Sequence, residues 1–95
     1  MDHWDLISFV NASKPRFEVL IQLKDKTMTP AQITNSIRIP FSRVSVILKE
    51  LSSKGLIKCL TPTRRKSKLF SVTDLGKEVI QQIHELTSMK GSPKE

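Results

Sequence analysis

The chain has a single cysteine, Cys59, two histidines, and apolar stretches only a few residues long. A lone thiol excludes an intramolecular disulfide and a paired-thiol metal site, and it suits a reducing cytoplasm. The short apolar stretches exclude a membrane-spanning helix, which needs roughly 20 such residues in a row. The opening Met1-Asp2-His3-Trp4-Asp5 is acidic where a secretory leader is basic. A cytoplasmic protein with no membrane partner is expected. His3 and His84 are far apart and lack partners at ligand spacing, so no metal is expected either. There is also no nucleophile–base–acid arrangement, glycine-rich phosphate loop or carboxylate pair. Neither catalysis nor a cofactor is expected.

What the chain has in excess is positive charge, and that charge is concentrated. The 95 residues suit one domain and carry a net charge of +7. Between Arg38 and Lys68 lie nine cations (Arg38, Arg43, Lys49, Lys54, Lys58, Arg64, Arg65, Lys66 and Lys68) and one acid, Glu50. The remainder has seven cations against eight acids. Such a lopsided distribution is the footprint of a polyanion binder, although basic stretches also occur as plain solvated surface.

Apolar spacing and capping residues set out the elements. Residues 2–12 suit a short helix through Trp4, Leu6, Ile7, Phe9 and Val10. Ser13-Lys14-Pro15 caps a second helix to about residue 24, with Phe17, Leu20, Ile21 and Lys24 on one side. The connection 25–28 has room for one very short strand. Thr29-Pro30-Ala31-Gln32 has the form of a capping box with proline at the first helical position, and it opens a brief helix ending near Ile37. Pro40 disfavours helical geometry at Ile39, so residues 38–40 make a tight turn. A helix over about 41–54 follows, with Val44, Ile47, Leu48 and Leu51 inward and Gly55 as its stop.

Two β-prone runs, 56–61 and 68–73, flank a polar tip of Pro62, Thr63, Arg64, Arg65, Lys66 and Ser67, and read as a hairpin. Thr73-Asp74 then caps a last helix carrying Leu75, Val79, Ile83 and Leu86. This order is that of a mainly α domain with a small β-hairpin wing, a winged helix-turn-helix, over 1–89 with a polar tail at 90–95. Cys59 shares a strand face with Ile57 and is expected to be a buried small apolar residue.

In a helix-turn-helix the second helix can enter the major groove of double-stranded DNA, which is about 12 Å wide. Its outward residues here are Ser42, Arg43, Ser45, Val46 and Lys49. Arg43 can fork onto guanine, the two serines can reach phosphates or base edges, and Val46 can meet a thymine methyl. The wing cations Arg64, Arg65, Lys66 and Lys68 repel one another unless phosphates neutralise them. With Arg38, these ten residues are the candidate DNA-binding set.

The motifs Thr29-Pro30-Ala31-Gln32-Ile33, Arg43-Val44-Ser45, Leu48-Lys49-Glu50-Leu51, Lys54-Gly55-Leu56-Ile57 and Val72-Thr73-Asp74-Leu75-Gly76-Lys77 resemble the winged-helix transcriptional regulators of the MarR and ArsR type, especially compact archaeal ones. The resemblance runs from about Pro15 to Ile83. It implies a sequence-specific regulator that works as a homodimer, with the helix face and wing on DNA. The chain is shorter than the larger MarR type and lacks the paired cysteines and histidine clusters of metal-sensing ArsR members. Trp4, Leu6, Ile7, Phe9 and Val10, with Val79, Ile80, Ile83, Leu86 and Met89, exceed what one small domain needs to cover itself, so a dimer through the terminal helices is expected. Two other uses of the fold stay open: a protein-interaction winged helix, and an architectural or RNA-binding module without base readout.

Overall fold

The computed structural model describes residues 3–61, 63 and 68–91, with side chains as far as Leu86. Its elements are α1 (Trp4–Asn11), α2 (Lys14–Asp25), α3 (Pro30–Ile37), α4 (Phe41–Ser53), β1 (Ile57–Cys59), β2 (Phe70–Val72) and α5 (Asp74–Gly91). The mainly helical domain with a two-stranded wing expected from the sequence is what forms. α5 takes in Lys90 and Gly91, which the sequence assigns to the tail.

The helix boundaries follow from capping chemistry. Ser13 Oγ accepts the Arg16 amide at 3.4 Å at the start of α2. At α3 the capping box closes both ways: Thr29 Oγ1 accepts the Gln32 amide at 3.2 Å, and Gln32 Oε1 accepts the Thr29 amide at 2.9 Å. Two orphan donors are satisfied by one pair of side chains. The reversal after α3 is made by Arg38, which is left-handed at φ 58° and ψ 46° and donates its amide to Thr34 O at 2.8 Å. Among the described residues it is the only one besides glycine with positive φ. Pro40 shapes the second half of that turn. At the far end of α4, Gly55 at φ 76° stops the helix, and the Leu56 amide returns to Leu51 O at 3.0 Å.

β1 and β2 pair antiparallel, with Ile57 opposite Val72 and Cys59 opposite Phe70. Met28, in the connection before α3, bridges the other edge of Phe70 through bonds of 3.1 and 3.0 Å. The strands are shorter than the six-residue runs in the sequence because regular pairing stops at Cys59 and Phe70. Cys59 is half-buried, not buried, since it lies at the end of its strand where the core thins.

One core holds all of this together. It is built from Val44, Ile47, Leu48 and Leu51 of α4, Val79, Ile80 and Ile83 of α5, and Val19, Leu20 and Leu23 of α2, with Ile7, Val10, Ile33, Leu56, Ile57 and Val72 around them. Each such side chain contributes about 1.5–3 kcal/mol when removed from water. The inward face of α2 departs from expectation: Phe17 and Ile21 are only half-buried and Lys24 is exposed. α2 packs against α1, α3, α4, α5 and β2. A helix touched on several sides need not keep one apolar stripe, and its spacing pattern is therefore ambiguous.

The junction between wing and α5 is closely packed. Thr73 Oγ1 accepts the Gly76 amide at 3.1 Å and donates to Gly55 O at 2.6 Å, while the Thr73 amide donates to Leu56 O at 3.0 Å. One threonine thus caps α5 and fastens it to the exit of α4. A Cβ on Gly76 would lie 2.2 Å from Leu56 O and 2.6 Å from Val72 Cγ2. Only glycine lets the helix approach this closely. Gly76→Ala should lower unfolding free energy in urea by roughly 1–3 kcal/mol through overpacking. A parent-like midpoint would contradict this account of the junction.

Candidate nucleic-acid interface

Burial of Val44, Ile47, Leu48 and Leu51 fixes which way α4 faces. At about 100° per residue, the direction opposite that stripe belongs to Ser42, Val46, Lys49 and Ser53. All four are exposed. Ser45 lies on one flank, half-buried, and Arg43 lies on the other flank, exposed, in line with Glu50 seven residues on. The structure therefore brings Ser42, Ser45, Val46 and Lys49 onto one continuous surface and sets Arg43 at its edge.

The flank bearing Ser45 borders a groove of about 590 Å³ between the start of α3, α4 and the approach to β2. Phe41, Ser45, Lys49 and Lys68 all line it, so a wing cation and a helix cation converge there. Arg38 lies elsewhere, beside Phe17, Ile21 and Ile37 in a separate groove between α2 and α3. Arg64, Arg65 and Lys66 lie outside the described residues. Phe41 is absent from the sequence-derived set, yet it is 54% exposed at the first position of α4. Periodicity hides it, because residue 41 stands three before Val44 and seven before Leu48 and so continues the buried stripe, while its place at the first position of α4 leaves it exposed.

Charge on this surface is shaped from behind. Glu50, the one acid of α4, pairs with Arg16 of α2 at 3.1 Å. The Arg16 guanidinium also donates to Phe9 O at the end of α1 and stacks over the Phe9 ring at 4.1 Å from its centroid. Lys54 approaches the same ring at 5.4 Å. With only 17% of its side chain exposed, Arg16 joins three helices and cancels the carboxylate. Its Nε is buried without a hydrogen-bond partner. Neither Arg43 nor Lys49 belongs to an ion pair among the described residues. Periodicity gave no warning of Arg16, because a half-buried cation leaves the same pattern as an exposed one.

Of the two histidines, His3 has a structural partner. His3 Nε2 lies 2.9 Å from Glu78 Oε1, linking the start of α1 to α5. Among the described residues no group of three His, Cys, Asp or Glu side chains is placed to hold a metal ion. No helix among them is long and apolar enough to cross a membrane.

The winged helix-turn-helix family matches residues 16–91. No curated protein matches the sequence. Among solved structures, the chain is similar to a cysteine-to-serine mutant of MarR from E. coli complexed with operator DNA, at 22% identity and a TM-score of 0.74, over 88% of this chain and 61% of that one. It is similar to RV1404 from Mycobacterium tuberculosis at 24% identity and a TM-score of 0.75, over 88% and 60% of the two chains. RosR of H. salinarum gives 16% identity and a TM-score of 0.79, over 87% and 80%. The chain thus spans about three fifths of the first two structures. At these identities the likeness is one of fold, and it agrees with the MarR resemblance carried by the sequence motifs.

Removing one member of the Arg16–Glu50 pair leaves the other partly desolvated and alone. Arg16→Met should cost roughly 1–3 kcal/mol in thermal or urea unfolding, less than for a fully buried pair because Glu50 keeps some water. The double variant Arg16→Met/Glu50→Met should lose less than the two single losses combined. Strict additivity would show that the pair does not couple α2 to α4.

Proposed function

Because the chain belongs to the winged helix-turn-helix family, we propose that it binds double-stranded DNA as a transcriptional regulator, without a catalytic step. In this reading α4 enters the major groove and the wing lies along the backbone or the minor groove. The observation that carries it is the outward surface of α4, made of hydroxyls, Val46 and a lysine with no ion pair among the described residues, with the one carboxylate of the helix answered by Arg16. Solvated helix faces usually mix acids with bases, whereas a polyanion binder excludes free acids. The likeness of fold to MarR, solved in complex with operator DNA, supports the same reading.

Within this reading each residue takes a role. Lys49 and Lys68 meet phosphates, joined by Arg64, Arg65 and Lys66 of the wing, while Arg38 stands apart in the groove between α2 and α3 and is left out of this set. Ser42, Ser45 and Val46 face base edges, with Arg43 reaching in from the flank, and these contacts give sequence specificity.

A second copy docks through the terminal helices. Most of their apolar side chains lie in the domain's own core, but Trp4 is left 54% exposed at the start of α1. Leu6 and Leu86 are only partly covered. A two-fold dimer through this strip would set two α4 helices about 34–36 Å apart, the spacing of successive major grooves. Sedimentation should show a dimer that Trp4→Ala weakens, and an unchanged monomer at all concentrations would remove the dimer from the reading.

Fluorescence anisotropy on duplex DNA across a salt series tests the main proposal. Log affinity should fall linearly with log salt, by about 0.9 per phosphate neutralised, and Lys49→Ala or Arg64→Ala should each reduce that slope by about one unit. Affinity that hardly responds to salt, or that both substitutions leave unchanged, would overturn it.

A further inference from the structure

The large apolar side chains exposed among the described residues are Trp4, Phe41, Val46 and Leu60, and two of these four stand on α4. Phe41 and Val46 are 54% and 53% exposed: Val46 faces away from the stripe that holds α4 to the core, and Phe41, in line with Leu48, stands uncovered at the first position of the helix. Each has a serine one turn away. Phe41 and Ser45 are four residues apart, as are Ser42 and Val46, so within each pair the side chains differ by about 40° around the axis and roughly 6 Å along it. Ser42 and Val46 lie on the outward surface of α4, and Phe41 and Ser45 lie on the flank that borders the groove shared with Lys68, so two neighbouring units each set an apolar group beside a hydroxyl.

Of the four bases, only thymine presents such a combination in the major groove. Its edge pairs the O4 acceptor with the C5 methyl, whereas guanine shows two acceptors, adenine an acceptor and a donor, and cytosine a donor. A serine hydroxyl can donate to O4 while the adjoining valine or phenylalanine covers the methyl. Arg43, the residue suited to guanine, sits at the edge of this surface beyond Val46.

We infer that α4 is a thymine-reading helix, with Phe41–Ser45 and Ser42–Val46 as its two specificity-determining pairs. The inference rests on the proposed entry of α4 into the major groove and names what that helix selects. Binding sites carry two thymines within each half-site at the positions facing these pairs. Phe41, absent from the sequence-derived set, becomes a base-contacting residue.

The first arm of the test leaves the protein unaltered. Duplexes are first selected from a random pool by the wild-type chain, and each thymine in the selected site is then replaced singly by deoxyuridine, which removes only the C5 methyl. At the two positions affinity should fall about fourfold, the worth of one buried methyl-sized group at ~0.8 kcal/mol. Val46→Ala, a change at an exposed position, should abolish the penalty at one thymine and keep it at the other. Selected sites without a thymine preference, or deoxyuridine tolerated at every position, would overturn the inference while leaving duplex binding intact. Failure of the wild-type chain to bind any duplex would instead overturn the reading beneath it, and the inference with it.

Discussion

The rotation of α4 about its own axis is set by four side chains, Val44, Ile47, Leu48 and Leu51, each driven into the core by the loss of apolar surface to water. Everything that α4 offers to a partner is the complement of that choice. Had the apolar stripe been displaced by one residue, about 100° of rotation would bury hydroxyls and expose leucine. The stripe also explains why Phe41 and Val46 need their own account. Val46 shares the helix but not its anchoring face, and Phe41 continues that face to the first position of α4, where it stays exposed.

Fixing a helix's rotation is not enough; its tilt and the wing beside it must also be held. Arg16 does part of this from α2, gripping Glu50 on α4 and Phe9 on α1. The rest comes from the Thr73 junction, where the exit of α4, the second wing strand and the start of α5 meet through Gly55, Leu56 and Gly76. Glycine at position 76 is the condition for that meeting, since Leu56 O occupies the space a side chain would need. The two devices differ in kind. One is an ion pair with exposure to water and moderate worth; the other is a steric demand that admits no compromise.

Much of this architecture was legible in the chain because its signals are local. The capping box at Thr29 and Gln32, the stop at Gly55 and the stripe of α4 depend on residues within one or two turns, and all three form as expected. What was not legible depends on distant partners. The inward face of α2 was misjudged because several elements press on it, and Cys59 because the end of a short strand has thin cover. Arg16 was invisible since its role exists only when Glu50, thirty-four residues away, folds beside it. The reversal at Arg38 was hidden for another reason: left-handed geometry favours glycine, and arginine gives no hint of it. Within the candidate site, Ser42, Ser45, Val46 and Lys49 were placed by periodicity alone, while Arg43, counted with them among the outward residues, stands at the edge of that surface.

The central claim is that one face of α4, together with the wing, is the surface that meets DNA. Amide chemical-shift mapping by NMR during titration with duplex DNA addresses it residue by residue. The account predicts the largest changes at Phe41, Ser42, Ser45, Val46 and Lys49 and around Lys68, with α5 nearly silent. Changes centred on α5 or on the α2–α3 groove, with α4 unmoved, would contradict it.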